Sequence, residues 1–294
     1  MSAVRVDAHQ HFWRLARGDY RWLTPDLTAL YRDFEPRDLA PLLARCGIDR
    51  TVLVQAADSV EETRFLLRLA RETPCVAGVV GWIDMQGRDA AGVLDELAGD
   101  PRLVGIRPML QDLNDERWIL RADVEPALRA LVKRKLVFDA LVKPQHLPHV
   151  SELMSRHSDL RVVIDHAAKP EIRSHSRDSK AFQDWRLHMS RLASESRAFV
   201  KLSGLATEAG KDWDVSKLRP YVDVLLECFG PERILWGSDW PVIELAGGYE
   251  SWWRATAELL AGISAKMRDA VLGQNAVSVY RLAIAPPKSD QTSR

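Results

Sequence analysis

The sequence predicts an α/β protein that forms a single (β/α)8 barrel of the TIM type over residues 1–282. Short, nearly continuous apolar runs recur along the chain, which is typical of parallel strands buried on both faces. Each run is followed by a segment with helical periodicity, and eight such units suit a closed barrel. A doubly wound open sheet is the main alternative, although no Gly-x-Gly-x-x-Gly turn follows the first run.

The predicted strands are aliphatic runs that end where polar or turn-forming residues begin. The first run has apolar residues at alternate positions, and the others are apolar almost throughout. In chain order the predicted strands are residues 4–8, 51–56, 76–83, 103–108, 136–142, 160–166, 198–203 and 234–239.

The predicted helices begin and end at residues that favour helix termini. Pro36 lies at the start of the first helix and Gly47 at its end. Ser59 and Glu62 have the spacing of a capping box at the start of the second helix. In chain order the predicted helices cover residues 36–47, 59–69, 93–97, 124–133, 150–154, 182–192, 218–228, 252–260 and 266–280.

The composition indicates an ordinary globular protein without a nucleic-acid or membrane partner. The 294 residues include 41 basic and 41 acidic side chains, so the formal net charge is zero. Three cysteines lie in or beside apolar segments without metal-site spacing, and no secretory signal is recognised, so we expect reduced thiols and a cytoplasmic location. Residues 283–294 are predicted to form a polar C-terminal tail. The sequence is compatible with a homo-oligomer.

Titratable side chains lie at the ends of five predicted strands. Catalytic groups of such barrels lie at the C-terminal ends of the strands, so we expect these side chains to converge in one site. Burying them singly, without partners, would be costly. The side chains are those of His9, His11, Arg107, His166, Lys201 and Asp239.

The two histidines at the end of the first strand are two residues apart, and side chains so spaced on a strand point to the same side. Together with His166 and Asp239, His9 and His11 suit a divalent metal, or a polarised carbonyl without one. Asp239 is also a candidate general base that activates water. The alternatives are a hydrogen-bonded strand end for the histidines and a cap of the turn at Pro241 for Asp239.

Further polar and aromatic residues are candidates for substrate binding. Arg107 and Lys201 suit an oxyanion, a carboxylate or sugar hydroxyls, and an ion pair at the barrel rim is the alternative for each. No Gly-x-Ser-x-Gly elbow and no phosphate-binding loop is present, so nothing indicates a serine nucleophile or a nucleotide. The other candidate pocket residues are Gln10, Trp13, Gln55, Trp82 and Lys169.

Four motifs at these strand ends resemble the amidohydrolase superfamily, and most closely its amidohydrolase-related group of sugar and pyrone lactonases. The resemblance runs from the first strand to about residue 281. The motifs are Val6-Asp7-Ala8-His9-Gln10-His11-Phe12-Trp13, Gly105-Ile106-Arg107-Pro108, Val163-Ile164-Asp165-His166-Ala167-Ala168-Lys169-Pro170 and Leu235-Trp236-Gly237-Ser238-Asp239-Trp240-Pro241.

The resemblance implies a barrel of the amidohydrolase type that opens an aldonolactone by attack of water, with L-fuconolactone or L-rhamnonolactone favoured. It implies Asp239 as the general base and His9, His11 and His166 as the groups that polarise the carbonyl. A pyrone dicarboxylate lactonase and a metal-dependent decarboxylase are the alternatives among enzymes. A catalytically silent sugar-binding barrel is the alternative outside enzymes.

The resemblance also implies at most one divalent metal, zinc, and no organic cofactor. By position, the metal ligands are His9, His11, His166 and Asp239. The superfamily's fifth-strand ligand has no clear match in this chain, so a binuclear site is not expected. Because the lactonase group includes members that work without metal, the resemblance leaves open whether activity requires it.

Overall fold

The computed structural model describes residues 3–174 and 177–284, and it confirms the predicted barrel. Eight parallel strands form one sheet in the order of the chain. Most of the predicted tail, residues 285–294, lies outside the described residues. The strands are β1 (Val6–Gln10), β2 (Arg50–Val54), β3 (Val76–Gly81), β4 (Leu103–Ile106), β5 (Val137–Ala140), β6 (Arg161–Ile164), β7 (Phe199–Leu202) and β8 (Ile234–Trp236).

Helices surround the sheet and follow the strands in alternation. The first ends as predicted at Gly47, which adopts the left-handed conformation with φ of 65°. Among the residues that the structure describes, no helix is long and apolar enough to cross a membrane. The helices are α1 (Pro36–Cys46), α2 (Val60–Glu72), α3 (Ala90–Leu97), α4 (Glu125–Arg134), α5 (Leu147–Arg156), α6 (Lys180–Glu195), α7 (Leu205–Ala209), α8 (Val215–Phe229), α9 (Tyr249–Leu259), α10 (Ala265–Asp269) and α11 (Asn275–Tyr280).

The last predicted helix, residues 266–280, is not continuous. A π-helical segment, Ala270–Gln274, separates α10 from α11 and contains a kink at Gly273. A Cβ on Gly273 would lie 2.1 Å from the backbone oxygen of Val4. The prediction of one helix was wrong because periodicity cannot show this close approach between two distant segments of backbone.

The interior of the barrel is a separate apolar core beneath the strand ends. Alternate residues of the strands fill it, most of them valines such as Val6, Val52 and Val137, and all three are fully buried. Side chains of α11, among them Tyr280, pack into the same cluster. Burying each valine contributes about 2 kcal/mol of hydrophobic stabilisation. The strands are therefore held rigidly below the residues that follow them.

The segment between β1 and α1, residues 14–35, is called here the aromatic loop, and it is fixed to the start of α2. Ser59 accepts a hydrogen bond from the backbone of Glu62 at 3.0 Å, as the predicted capping box requires. The Glu62 side chain does not complete that box. Its carboxylate accepts hydrogen bonds from the Tyr20 hydroxyl at 2.8 Å and from the backbone N–H of Ala56 at 3.3 Å.

Replacing Glu62 with Gln is expected to remove a pH-dependent loss of stability. Burial raises the pKa of the Glu62 carboxyl from 4.5 to about 7, although the Tyr20 hydroxyl and Arg17 act in the opposite direction. The folded protein therefore retains a proton that the unfolded chain has released. The free energy of unfolding should fall by about 3 kcal/mol as the pH rises through that interval.

The Gln variant has no group that titrates at this position. Its unfolding free energy, measured in urea at about pH 5 and about pH 8, should therefore decrease less than that of the unsubstituted protein. The same decrease in both proteins would show that the Glu62 carboxyl is ionised over the whole interval and would contradict the prediction.

Candidate active site

Closure of the barrel brings the ends of the first and last strands together. The backbone N–H of Asp239 donates to the carbonyl of His9 at 2.8 Å, and that of His11 donates to the carbonyl of Trp240 at 2.7 Å. A single parallel bridge between Gln10 and Trp240 completes the contact. Asp239 is thus held beside both histidines by backbone hydrogen bonds.

Four of the predicted site residues meet at this point. His9 and His11 point to the same side, with 3.2 Å between their Nε2 atoms. Asp239 Oδ1 lies 3.3 Å from His11 Nε2, 3.7 Å from His9 Nε2 and 3.9 Å from His166 Nε2. Three imidazole nitrogens and one carboxylate oxygen therefore surround a common centre.

This donor set fits a divalent metal such as zinc. Zinc takes imidazole and carboxylate ligands at about 2.0–2.2 Å, so the ligand atoms of a tetrahedral site are about 3.3 Å apart. Ligand atoms of His9, His166 and Asp239 lie within 4.8 Å of one another. However, Nη1 of Arg107 lies only 3.3 Å from His9 Nε2, so a fixed positive charge already borders the centre.

Hydrogen bonds on the far side of the rings orient two of the histidines. His11 Nδ1 lies 2.8 Å from the carbonyl oxygen of Val54. A carbonyl can only accept, so Nδ1 carries the proton and a neutral His11 presents the lone pair of Nε2 to the centre. His166 Nδ1 lies 2.9 Å from the hydroxyl of Ser203. Such outer contacts fix the ring planes of metal-binding or catalytic histidines.

Burial and local charge set the protonation of the cluster. Burial, reinforced by the positive charge of Lys201, holds the pKa of His9 well below its usual value. Burial lowers the pKa of His166 to about 4, although Asp239 acts against this. For Asp239, burial alone would raise the pKa, but the neighbouring imidazoles of His166 and His11 bring it below its ordinary value. At neutral pH, Asp239 is therefore ionised while His9 and His166 are neutral.

Lys201 lies directly beneath the cluster in a fully buried network of charges. Its Nζ lies 2.6 Å from Asp139 Oδ2, 2.9 Å from Asp165 Oδ1 and 3.1 Å from His9 Nδ1. All four side chains are fully buried. The hydroxyl of Tyr280 donates to Asp139 from below. The Lys201 ammonium is thus enclosed in a buried ion pair below the barrel rim, and Lys201 does not line the cavity.

Arg107 lies between this network and the solvent. Its Nη2 donates to the backbone and side-chain oxygens of Gln55 at 2.5 and 3.0 Å. Its Nη1 lies 3.4 Å from Asp165 Oδ2, which supplies the neutralising charge. Gln55 in turn donates to the backbone oxygen of Arg107 at 3.1 Å. The guanidinium is therefore locked in one orientation beside His9.

A run of left-handed residues after β6 places two more side chains. Residues 166–169 all have φ between 50° and 60°, a conformation that is unfavourable for residues other than glycine. The indole of Trp185 donates to the carbonyl of Ala167 at 2.8 Å and supports the turn. A Cβ on Gly204 would lie 2.7 Å from that of His166, so glycine permits the close packing there. Backbone strain held in this way is typical of functional sites.

A cavity of about 290 Å³ opens above the cluster. Its volume is close to the lower limit of ordinary ligand pockets and suits one small ring. Polar groups and apolar side chains both contribute to its walls. The cavity is lined by His11, Trp22, Ala56, Arg107, Met109, Gln111, Asp112, Leu141, His166, Lys169, Asp239 and Val242.

Of the residues predicted to bind substrate, Arg107 and Lys169 line the cavity. Gln10 points to the opposite side of β1 from the histidines and donates to Thr51 at 3.1 Å. Trp13 is fully buried, and its indole donates to the carbonyl of Arg32.

The other two predicted pocket residues are also placed elsewhere. Trp82 follows β3, where its backbone N–H and carbonyl both bond to the hydroxyl of Thr63, and it is not among the cavity-lining residues. Lys201 lies below the floor, as described above. Gln55 contributes indirectly, because it holds Arg107.

Several residues of the site were not identified from the sequence. Trp22 lies in the aromatic loop, where no periodicity marks it as part of a site. Asp139 is a single carboxylate in an otherwise apolar strand, and that isolated charge was a usable signal. Asp165 directly precedes His166, and on a regular strand the two side chains would point to opposite sides. The side chains of Asp165 and His166 nevertheless reach the same site, because the left-handed run that begins at His166 interrupts the alternation of side chains along the strand.

Comparison with known proteins places this geometry in a family. The chain matches the family model described as amidohydrolase over residues 6–282. It is 46% identical over 293 residues to an L-fucono-1,5-lactonase of Burkholderia ambifaria, with 98% of each chain covered. It is 37% identical to an L-fucono-1,5-lactonase of Burkholderia multivorans, covering 96% of this chain and 97% of that protein. The matches confirm the resemblance found in the sequence motifs.

A solved structure supports the same conclusion. The chain superimposes on an amidohydrolase from Burkholderia multivorans with a TM-score of 0.89 and 35% sequence identity. The match covers 95% of this chain and all of that one, and the crystal structure contains bound zinc. A relative with this fold thus takes up zinc, which agrees with the donor set formed by the histidines and Asp239.

Proposed function

The chain belongs to the amidohydrolase family and is a lactone hydrolase, and we propose that its substrate is a sugar 1,5-lactone, with L-fucono-1,5-lactone favoured. The observation that carries the proposal is the convergence of an ionised carboxylate, Asp239, with three imidazoles at the floor of a small cavity. The similarity to two proteins named for that substrate supports the choice of sugar.

In the proposed reaction, water attacks the carbonyl carbon of the lactone and the ring C–O bond breaks. Asp239 accepts a proton from the attacking water and returns it to the oxygen of the opening ring. The product is an aldonate, and one proton is released to solvent. His166, with Arg107, provides positive or hydrogen-bonding groups where the carbonyl oxygen becomes negative.

The metal site, where filled, would be formed by His9, His11, His166 and Asp239. A divalent metal bound there supplies Lewis acidity that polarises the carbonyl. This chain also places the Arg107 guanidinium beside His9, with Nη1 3.3 Å from Nε2. The protein's own side chains can therefore also polarise the carbonyl.

The charge of the cavity favours a neutral sugar over a dicarboxylate. Arg107 and Lys169 are the cations among the described lining residues, and Asp112 and Asp239 are the carboxylates. Lys169 is itself bound to Gln111 at 2.8 Å. A pyrone dicarboxylate would need unbalanced cations for both of its carboxylates, so the pyrone lactonase remains the weaker alternative.

The direct test is hydrolysis of a panel of aldonolactones, followed with a pH indicator and corrected for spontaneous ring opening. We expect turnover of L-fucono-1,5-lactone to exceed that of lactones with other stereochemistry. A pyrone dicarboxylate is included in the panel. Failure to hydrolyse any aldonolactone would overturn the proposed function, and faster turnover of the pyrone would support the alternative.

Removal of metal is expected to leave most of the activity in place. Because Arg107 and His166 can stabilise the developing oxyanion, kcat/KM after exhaustive dialysis against a chelator should stay within about threefold of the starting value. The metal content is measured before and after dialysis. A larger loss of activity that added zinc restores would show that the metal is required.

A further inference from the structure

The aromatic loop contributes one side chain to the cavity, that of Trp22. The ring lines the cavity, and 37% of the residue is exposed. Its Nε1 donates to the carbonyl oxygen of Ala56 at 2.7 Å. Because the only polar atom of the indole is already bonded to the protein, the ring can offer a ligand only its apolar surface.

A second tryptophan supports the first from behind. The rings of Trp13 and Trp22 meet edge to face, with centroids 5.4 Å apart and planes at 90°. Trp13 is fully buried and also packs against Phe34 with centroids 5.2 Å apart. Edge-to-face pairs of this kind are favourable and restrict ring motion. Trp22 is therefore a supported surface rather than a loose side chain at the mouth of the cavity.

The Ala56 backbone links Trp22 to the buried carboxylate of Glu62. The carbonyl of Ala56 accepts from Trp22, and its N–H donates to Glu62 Oε1 at 3.3 Å. Glu62 Oε2 accepts from the hydroxyl of Tyr20 at 2.8 Å and lies 3.4 Å from Arg17 Nε. Tyr20 and Arg17 belong to the aromatic loop itself. Glu62 thus binds both the aromatic loop, which carries Trp22, and the Ala56 backbone, to which the Trp22 indole is bonded.

We propose that Trp22 is a substrate-contacting residue that packs against the apolar C–H face of the lactone ring, and that Glu62 is a positioning residue that keeps Trp22 over the cavity. This inference rests on the proposed function, since it takes a sugar lactone as the ligand. In this arrangement, the polar groups of the cavity face the hydroxyls of the sugar ring and the indole faces its carbon atoms. Hydroxyls are bound by charged groups such as Lys169, and ring carbons by the indole.

Substitution of Trp22 separates binding from chemistry. The indole of Trp22 bonds to the Ala56 carbonyl and packs on Trp13, and neither contact involves Asp239 or the histidines. Trp22→Ala should therefore raise KM for L-fucono-1,5-lactone about tenfold and change kcat by less than about threefold. Trp22→Phe retains a flat apolar ring and should recover most of the KM. Tyr31→Ala is the matched control, because Tyr31 lies in the same loop, is 42% exposed and does not line the cavity.

Substitution of Glu62 tests the positioning role. Glu62→Ala should raise KM in the same direction as Trp22→Ala and should increase amide hydrogen exchange in residues 14–35. Glu62→Gln keeps an oxygen that accepts from the Ala56 N–H, and its amide N–H can donate to the Tyr20 oxygen, so it should restore most of the KM. The double variant with alanine at both positions should have a KM no more than about twofold above that of Trp22→Ala, because both changes act through the same ring.

The outcomes distinguish this inference from the proposed function. Absence of lactone turnover in the unsubstituted protein overturns the proposed function and this inference with it. Normal turnover with an unchanged KM in Trp22→Ala overturns only the contact between the indole and the substrate. If the KM increases of the two single alanine variants multiply in the double variant, the role of Glu62 in positioning Trp22 is overturned.

Discussion

Replacing Asp239 with Asn is expected to lower kcat/KM for lactone hydrolysis by about 10²–10⁴-fold, the range that a positioned general base contributes. Asn has nearly the same shape but cannot accept the proton from water. It also tolerates the left-handed backbone at this position, where φ is 58°. The fold should therefore be retained, and the loss should appear mainly in kcat.

A second carboxylate of the same cavity provides the comparison. Asp112 lines the wall but is not part of the cluster around Asp239 Oδ1. Asp112→Asn should cost less than about tenfold in kcat/KM. Thermal unfolding and zinc content are measured for both variants, so that an unfolded or metal-depleted preparation is recognised. Unchanged turnover in Asp239→Asn would remove this residue from the mechanism.

The general position of the site could be predicted because the fold restricts it. Parallel strands in chain order bring all their carboxyl ends to one face of the barrel. Residues at those ends, such as His9, His166 and Asp239, then have to meet, whatever loops connect them. Alternation along β1 places His9 and His11 on one side for the same kind of reason. These predictions depend on backbone periodicity alone.

The walls and the floor of the site depend on contacts that periodicity does not encode. Trp13 was predicted as a pocket residue because it follows β1, yet the loop folds back so that Trp22 takes that place. Lys201 was expected to reach substrate because it lies near a strand end. Its three nearest polar partners come from β1, β5 and the segment after β6, and such a combination cannot be deduced from one strand at a time.

Replacing Lys201 with Met is expected to destabilise the fold by about 3–5 kcal/mol, as is usual when one partner of a buried ion pair is removed. Met fills a similar volume but offers no positive charge. Asp139 and Asp165, both fully buried, would lose their closest cation. His9 would also lose its contact at Nδ1, so activity should decrease together with stability.

The loss of stability in Lys201→Met should grow with pH. Burial already raises the pKa of Asp139 to about 6, and Lys201 limits that rise. Without Lys201 the folded state binds protons more tightly than the unfolded chain over a wider interval, so the free energy of unfolding falls more steeply as the pH increases. Urea unfolding at about pH 5 and about pH 8 should show the smaller loss at the lower pH.

A second substitution tests whether the lost positive charge causes the instability of Lys201→Met. Adding Asp139→Asn to Lys201→Met removes one of the two carboxylates left without a cation, so the double variant should be more stable than Lys201→Met at about pH 8. The hydroxyl of Tyr280, which donates to Asp139, can still donate to the Asn oxygen. A double variant as unstable as the single one would show that Lys201 stabilises the barrel by packing. In that case, its charge would serve only to hold His9 and Asp165 beneath the site.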